Sequence, residues 1–202
     1  MVLATPRVAF LAALAALTLQ DGRTESAAIA EALALREGQS VADVGAGEGE
    51  YSVDLASRVG AAGHVYATEV DDSKIEKIRS RAQAAGVQNV TAVRGEQQET
   101  GLAAGCCDGI LLRLVYHHFT DPPAMRRSLW NALRAGGRIA VIDVPPQTSW
   151  RRLEGVPDRG GHGIEPDELV GDMTKSGFEV VERHDHWPGE DEAYCVVFRR
   201  PG

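Results

Sequence analysis

The chain has 202 residues, 44% of them hydrophobic, which suits one domain able to bury its own core. A formal net charge of −8, with Lys and Arg scattered rather than clustered, leaves no electrostatic footprint for nucleic acid. Three cysteines, two of them adjacent, make neither a disulfide framework nor a zinc site, and no internal repeat or low-complexity tract is present.

At the start of the chain, Arg7 precedes an unbroken apolar run from Val8 to Leu17. Length and flank are those of a signal-peptide core, and the run is too short for a comfortable membrane span. Ala and Leu are also strong helix formers, so an ordinary N-terminal helix is the competing reading, and the two stay open. The chain therefore divides into an apolar segment, residues 1–22, and a folded domain, residues 23–202. Any membrane contact is expected through residues 8–19 only. Oligomeric state is not readable.

Thr24 to Arg36 reads as a helix, with Ile29, Leu33 and Arg36 at helical spacing and Gly38 as its stop. Next comes Val41-Ala42-Asp43-Val44-Gly45-Ala46-Gly47-Glu48-Gly49-Glu50-Tyr51. A short apolar run meets three glycines at alternate positions, then a segment with Tyr51, Leu55 and Val59 at helical spacing. This is strand, tight turn, helix, the first unit of an open α/β sheet whose turn lies at the ligand-binding edge. The dinucleotide fingerprint G-x-G-x-x-G would place its third glycine at position 50, where Glu50 stands. A carboxylate there opposes a pyrophosphate at a helix N-terminus. Asp43 adds negative charge, so a cationic ligand suits the loop better.

The pattern D-x-G-x-G-x-G after a strand resembles the first motif of class I S-adenosylmethionine-dependent methyltransferases. The resemblance implies a Rossmann-like α/β fold: a mostly parallel seven-stranded sheet with one antiparallel strand and helices on both faces. It also implies S-adenosylmethionine as cofactor. On the first loop Asp43, Gly45, Ala46, Gly47 and Glu50's neighbour Gly49 would hold that cofactor.

His64 to Val70 reads as the second strand, with Glu69 twenty residues beyond Gly49. An acid at this strand end hydrogen-bonds ribose hydroxyls in Rossmann-like sheets, and a carboxylate accepts from both at once. Glu69 and the adjoining Val70 are assigned to the cofactor. Asp71 and Asp72 read as N-caps of a helix from about Ser73 to Ala85. Asn89 to Arg94 is the third strand. In the resemblance, the following turn places Glu96 and Gln97 near the adenine.

Cys106-Cys107 opens a fourth strand, Asp108 to Val115, and reads as small apolar packing rather than redox chemistry. Arg113 interrupts that strand. It reaches the cofactor carboxylate or a nearby acid, or it snorkels out along apolar neighbours. Tyr116-His117-His118-Phe119 follows, a run that resembles a segment of small bacterial methyltransferases. His117 and His118 are the candidate catalytic residues, because histidine suits base work near neutral pH. Continued strand geometry would turn only one of them toward the site.

A helix from Pro122 to Arg134, ended by Ala135-Gly136-Gly137, leads to a fifth strand from Arg138 to Val144. Residues 145–163 read as a long loop that could cover substrate, with His162 as a polar contact. A helix to about Ser176 and strands Phe178 to His184 and Ala193 to Arg199 close the chain. The expected activity is methyl transfer to a small-molecule acceptor, with no nucleic acid partner. The alternatives are a cofactor-binding protein without turnover and a nicotinamide-dependent oxidoreductase. Cofactor supply favours the cytoplasm, whereas a working signal in residues 1–19 would mean export or anchoring.

Overall fold

A computed structural model of the chain describes residues 24–148 and 154–202. Residues 24–32 are helical (α1). They are followed by β1 (Ser40–Val44), α2 (Glu50–Val59), β2 (His64–Glu69), α3 (Asp72–Ala84), β3 (Val90–Arg94) and β4 (Cys107–Arg113). A 3₁₀ turn (Tyr116–His118) leads into α4 (Pro122–Ala132), β5 (Leu133–Asp143), α5 (Pro166–Lys175), β6 (Glu179–His184) and β7 (Tyr194–Arg199).

The strands form one seven-stranded sheet in the order β3-β2-β1-β4-β5-β7-β6. Every pairing from β3 through β5 is parallel, and β7 alone runs against its two neighbours. This is the Rossmann-like arrangement expected above. The chain reverses its winding direction between β1 and β4, so a crevice opens there at the carboxyl ends of the strands.

Strand periodicity sorts the core into two layers. Ala42 and Val44 of β1, Ile110 and Leu112 of β4, and Ile139 and Val141 of β5 face α4 and α5, where Leu129, Leu169 and Met173 close the layer. Val41, Leu111, Ala140 and Ile142 face the other way, against Ile29 and Leu33 of the N-terminal segment and Leu55 and Val59 of α2. Central strands covered on both faces need continuous apolar runs, which is what β1, β4 and β5 supply. Cys107 and Cys195 are buried within these layers, in keeping with small apolar packing.

Several element ends differ from the expectation, each for a local reason. The first helix stops at residue 32 because Ala34 takes a positive φ of 51°. Asp71 caps α3 by accepting from the Ser73 N–H at 2.8 Å, whereas Asp72 is already helical and pairs with Arg94. The helix before β5 ends at Ala132, and Ala135-Gly136-Gly137 belongs to the strand. There the Gly136 N–H donates to Arg200 O at 2.7 Å and the Arg200 N–H to Gly137 O at 3.0 Å, so the C-terminal chain pairs with backbone expected to form a turn. β4 ends at Arg113, because Leu114 has φ 52° and turns the chain into the 3₁₀ segment.

Among the described residues no helix is long and apolar enough to cross a membrane. The apolar segment, residues 1–22, lies outside the described residues.

Candidate active site

The crevice at the β1–β4 switch holds a cavity of about 490 Å³, within the size range of small-ligand sites. Its floor is Val44, Gly45 and Gly47 of the first loop. Gly47 has φ 57°, and a Cβ built there would meet no atom within 4 Å, so this backbone is open to a ligand. Gly49 instead caps α2 in left-handed geometry and lies tight against Ile78 of α3. Ala46 and Gly49 shape the loop without lining the cavity.

Glu69 and Val70 form the β2 wall, and Gly95, Glu96 and Gln97 the wall beyond β3. Glu69 is buried. One oxygen accepts from the Gly47 N–H at 3.1 Å, the other from the Val70 N–H at 2.8 Å, and the Lys74 ammonium stands 3.7 Å away. The carboxylate thus ties the glycine loop to the end of β2 while facing the cavity. Glu96 and Gln97 also border a broad open depression of about 950 Å³, shared with Arg94 and Arg127.

Asp43 is not a lining residue. It is buried at the end of β1 and accepts from the Ser52 hydroxyl at 2.6 Å, which fastens strand to α2. Burial pushes its carboxyl up to about 6, against the pull of Ser52 and Arg113. Arg113 reaches a nearby acid rather than snorkelling out along apolar neighbours. Its guanidinium donates twice to the buried Glu25, from Nε at 2.9 Å and Nη2 at 3.1 Å, and lies 4.8 Å from the centre of the Tyr51 ring.

The far end of the cavity is built by the 3₁₀ turn. Tyr116 is fully buried; its hydroxyl and Asp172 share Arg126 Nη1 at 3.0 Å each, and Tyr116 donates to Asp172 at 3.1 Å. This network anchors the turn to α4 and α5. His117 is buried, with Nδ1 2.5 Å from Oδ1 of the fully buried Asp143. His118 and Phe119 line the cavity with Met125, Glu154 and Val156.

Of the two adjacent histidines, only His118 lines the cavity, but the strand geometry behind the expectation of opposed side chains does not persist. In a 3₁₀ turn successive side chains do not alternate as in a strand. His117 Nε2 and His118 Nε2 both converge on His162 Nε2, at 2.9 and 3.2 Å. Ligand atoms of the three rings lie within 4.8 Å of one another. Burial, and the two neighbouring rings, push His118 down to about 4.

His162 reaches this point because its loop is stitched to the chain leaving β5. Gln147 and His162 exchange backbone hydrogen bonds at 3.0 and 3.1 Å. The approach needs glycine on both sides. A Cβ on Gly161 would sit 2.8 Å from Gln147 N, and one on Gly163 would sit 2.5 Å from Val144 O.

Asp143, Glu25 and Asp172 were not singled out from sequence. Only Asp143 carried a readable signal, an acid at the carboxyl end of a central strand. Glu25 and Asp172 acquire their meaning from contacts across 88 and 46 or more residues of chain.

A family model described as a methyltransferase domain matches residues 35–179. The ubiquinone/menaquinone biosynthesis C-methyltransferase of Haemophilus ducreyi is 26% identical over 110 residues, 54% of this chain and 42% of that protein. The demethylmenaquinone methyltransferase of Listeria welshimeri is 23% identical over 121 residues, 59% of this chain and 51% of that one. The chain spans about half the length of the curated relatives it matches. The crystal structure of a SAM-dependent methyltransferase from Aquifex aeolicus superposes with a TM-score of 0.71 at 20% identity, covering 87% of this chain and 89% of the other. At that identity the likeness is one of fold.

Proposed function

The chain belongs to the methyltransferase-domain family, and we propose that it transfers the methyl group of S-adenosylmethionine to a small-molecule acceptor held at the histidine end of the cavity. One observation carries the reading: a single cavity has Glu69 and the open Gly47 backbone on one side and His118 on the other. Glu69 accepts from the ribose hydroxyls, Glu96 and Gln97 meet the adenine, and the donor sulfonium lies toward His118 and Phe119. The relatives are named for methylation of quinone precursors, which supports a small organic acceptor over a macromolecule.

The reaction moves a methyl carbon from sulfur to the acceptor atom. The carbon–sulfur bond breaks with its electrons returning to sulfur, and the acceptor lone pair forms the new bond. Such a displacement depends on alignment and on keeping water away. Glu154 and Val156 add to the wall of this cavity. The histidine cluster lies where an acceptor would lose its proton.

Calorimetry with S-adenosylmethionine, its demethylated product and NAD tests the reading. Binding of the first two and not the third is expected. Tight NAD binding without binding of the methyl donor overturns it. A methyl-transfer screen with labelled donor against cellular metabolite pools then names the acceptor; no labelled product from any pool would leave a binding protein without turnover.

A further inference from the structure

We propose that His117, His118 and His162 form a binding site for one divalent transition-metal ion of the zinc class, set at the acceptor end of the cavity. The donor set comes first. Three imidazole Nε2 atoms from two separate segments converge, with spacings of 2.9 and 3.2 Å to His162. A tetrahedral ion with metal–nitrogen bonds of about 2.0–2.1 Å needs ligand nitrogens about 3.3 Å apart. The two spacings to His162 need to open by only a few tenths of an ångström to admit one, and all three donor atoms already lie within 4.8 Å of one another.

Proton bookkeeping at the cluster points the same way. A carboxylate only accepts, so the 2.5 Å contact with Asp143 places the proton of neutral His117 on Nδ1 and leaves a lone pair on Nε2. His162 Nε2 faces this lone pair and, on its other side, His118 Nε2. One N–H on His162 is then shared between two acceptors, or two lone pairs or two N–H groups meet head on. A cation satisfies all three nitrogens together. Metal-bound histidines characteristically donate their other ring N–H to a carboxylate, which fixes tautomer and orientation. Asp143 does this for His117, and its other oxygen accepts from the backbone N–H of His117 at 3.3 Å.

The third donor is placed by backbone. The paired Gln147 and His162 and the glycines at 161 and 163 hold the loop against the end of β5, closer than any side-chain-bearing residue allows. His117 and His162 border a small recess with Val156, and His118 and Val156 border the main cavity, so the cluster stands where the two meet.

Three protein ligands leave one coordination position for substrate, and an ion so bound lowers the pKa of what it holds. The acceptor class is then a hydroxyl or thiol compound. Its proton leaves to solvent as oxygen or sulfur binds the ion, and the resulting anion attacks the methyl carbon while the donor sulfur takes back its electron pair. This role rests on the methyl-transfer reading; the metal site does not.

The test uses the full chain, stripped with chelator and titrated with Zn²⁺ by calorimetry and with Co²⁺ by visible absorption. One equivalent of each should bind, with the intense absorption of tetrahedral Co²⁺. His162→Gln and His118→Gln should each abolish the stoichiometric site, and Asp143→Asn should weaken it about 10–100-fold. His162→Gln should still bind S-adenosylmethionine, which reports its folding; should it fail to fold, His118→Gln decides. A parent protein that takes up no ion at micromolar concentration overturns the proposal. So does uptake that survives both histidine variants, or uptake lost on Cys106→Ser instead. Zinc binding without S-adenosylmethionine binding sinks the methyl-transfer reading and leaves the metal site standing.

Discussion

Arg113, at the end of β4, holds Glu25 near the start of the described chain through two hydrogen bonds of 2.9 and 3.1 Å. Glu25 is fully buried and also accepts from the Tyr51 hydroxyl. Glu190 adds a second carboxylate 3.6 Å from Arg113. The N-terminal helix is thereby locked to the sheet, one strand away from the glycine loop.

Removing one partner of a buried ion pair leaves the other charge without compensation, which typically costs about 3–5 kcal/mol. Glu25→Ala should therefore lower stability by about that amount in urea unfolding, and Glu25→Gln with Arg113→Met should recover part of it. Deleting residues 1–20 keeps Glu25 and should leave a folded protein that binds S-adenosylmethionine. A start at Ala27 removes Glu25 and also Ser26, which donates to Asp54 at 2.6 Å, and should be markedly less stable. Equal stability of the two truncations would show that the pair contributes little.

Glu69→Ala should weaken binding of S-adenosylmethionine by about 1.5–3 kcal/mol, the scale of hydrogen bonds to a charged group. The deficit should persist with adenosine, since the proposed contact is to ribose. Glu69→Gln keeps an acceptor for the Gly47 N–H and should lose less. An unchanged dissociation constant in the alanine variant would remove Glu69 from the cofactor site.

How far this site could be read in advance depended on distance along the chain. The glycine loop and Glu69 lie within about 25 residues of one another in a single βαβ unit, where spacing alone determines geometry. The sheet was legible because β1, β4 and β5 are apolar on both faces. The histidine cluster was not. Its rings come together through Leu114, a non-glycine residue with positive φ that carries no sequence signal. They also depend on a pairing between Gln147 and His162 made by backbone alone. The Gly136-Gly137 pair misled because a helix stop and a strand bulge use the same residue type.

Asp43 gives the chain a pH signature. Burial raises its carboxyl from an ordinary value of 3.8 to about 6. Between these values the folded chain holds a proton that the unfolded chain has released, so the contribution of Asp43 is greatest below pH 4 and is lost as pH rises through 6. Asp43→Asn cannot ionise and still accepts from Ser52. The stability of the variant relative to the parent should therefore increase from pH 4 to pH 7, by up to about 3 kcal/mol at 1.36 kcal/mol per unit. Urea midpoints at four pH values measure it. A difference that stays flat over that range would mean Asp43 ionises as readily in the folded chain as in the unfolded one.

The glycines around His162 separate two causes of strain. Gly160 has φ 76°, and a Cβ there would meet nothing within 4 Å. Gly160→Ala should cost only the left-handed backbone penalty, about 1–2 kcal/mol. Gly163 has φ 135°, and its Cβ would lie 2.5 Å from Val144 O and 2.6 Å from Pro145 O. Neither carbonyl can move without disturbing the end of β5, where Ile164 N–H also donates to Val144 O at 2.9 Å. Gly163→Ala should therefore exceed the Gly160→Ala cost by at least about 1 kcal/mol and draw His162 away from His117. In single-turnover assays with the true acceptor, its methyl-transfer rate should fall well below that of Gly160→Ala, while affinity for S-adenosylmethionine stays within a few-fold of the parent, because Glu69 and the first loop are untouched. Should the two variants lose equal stability and transfer at equal rates, the close approach at Gly163 is not what places His162.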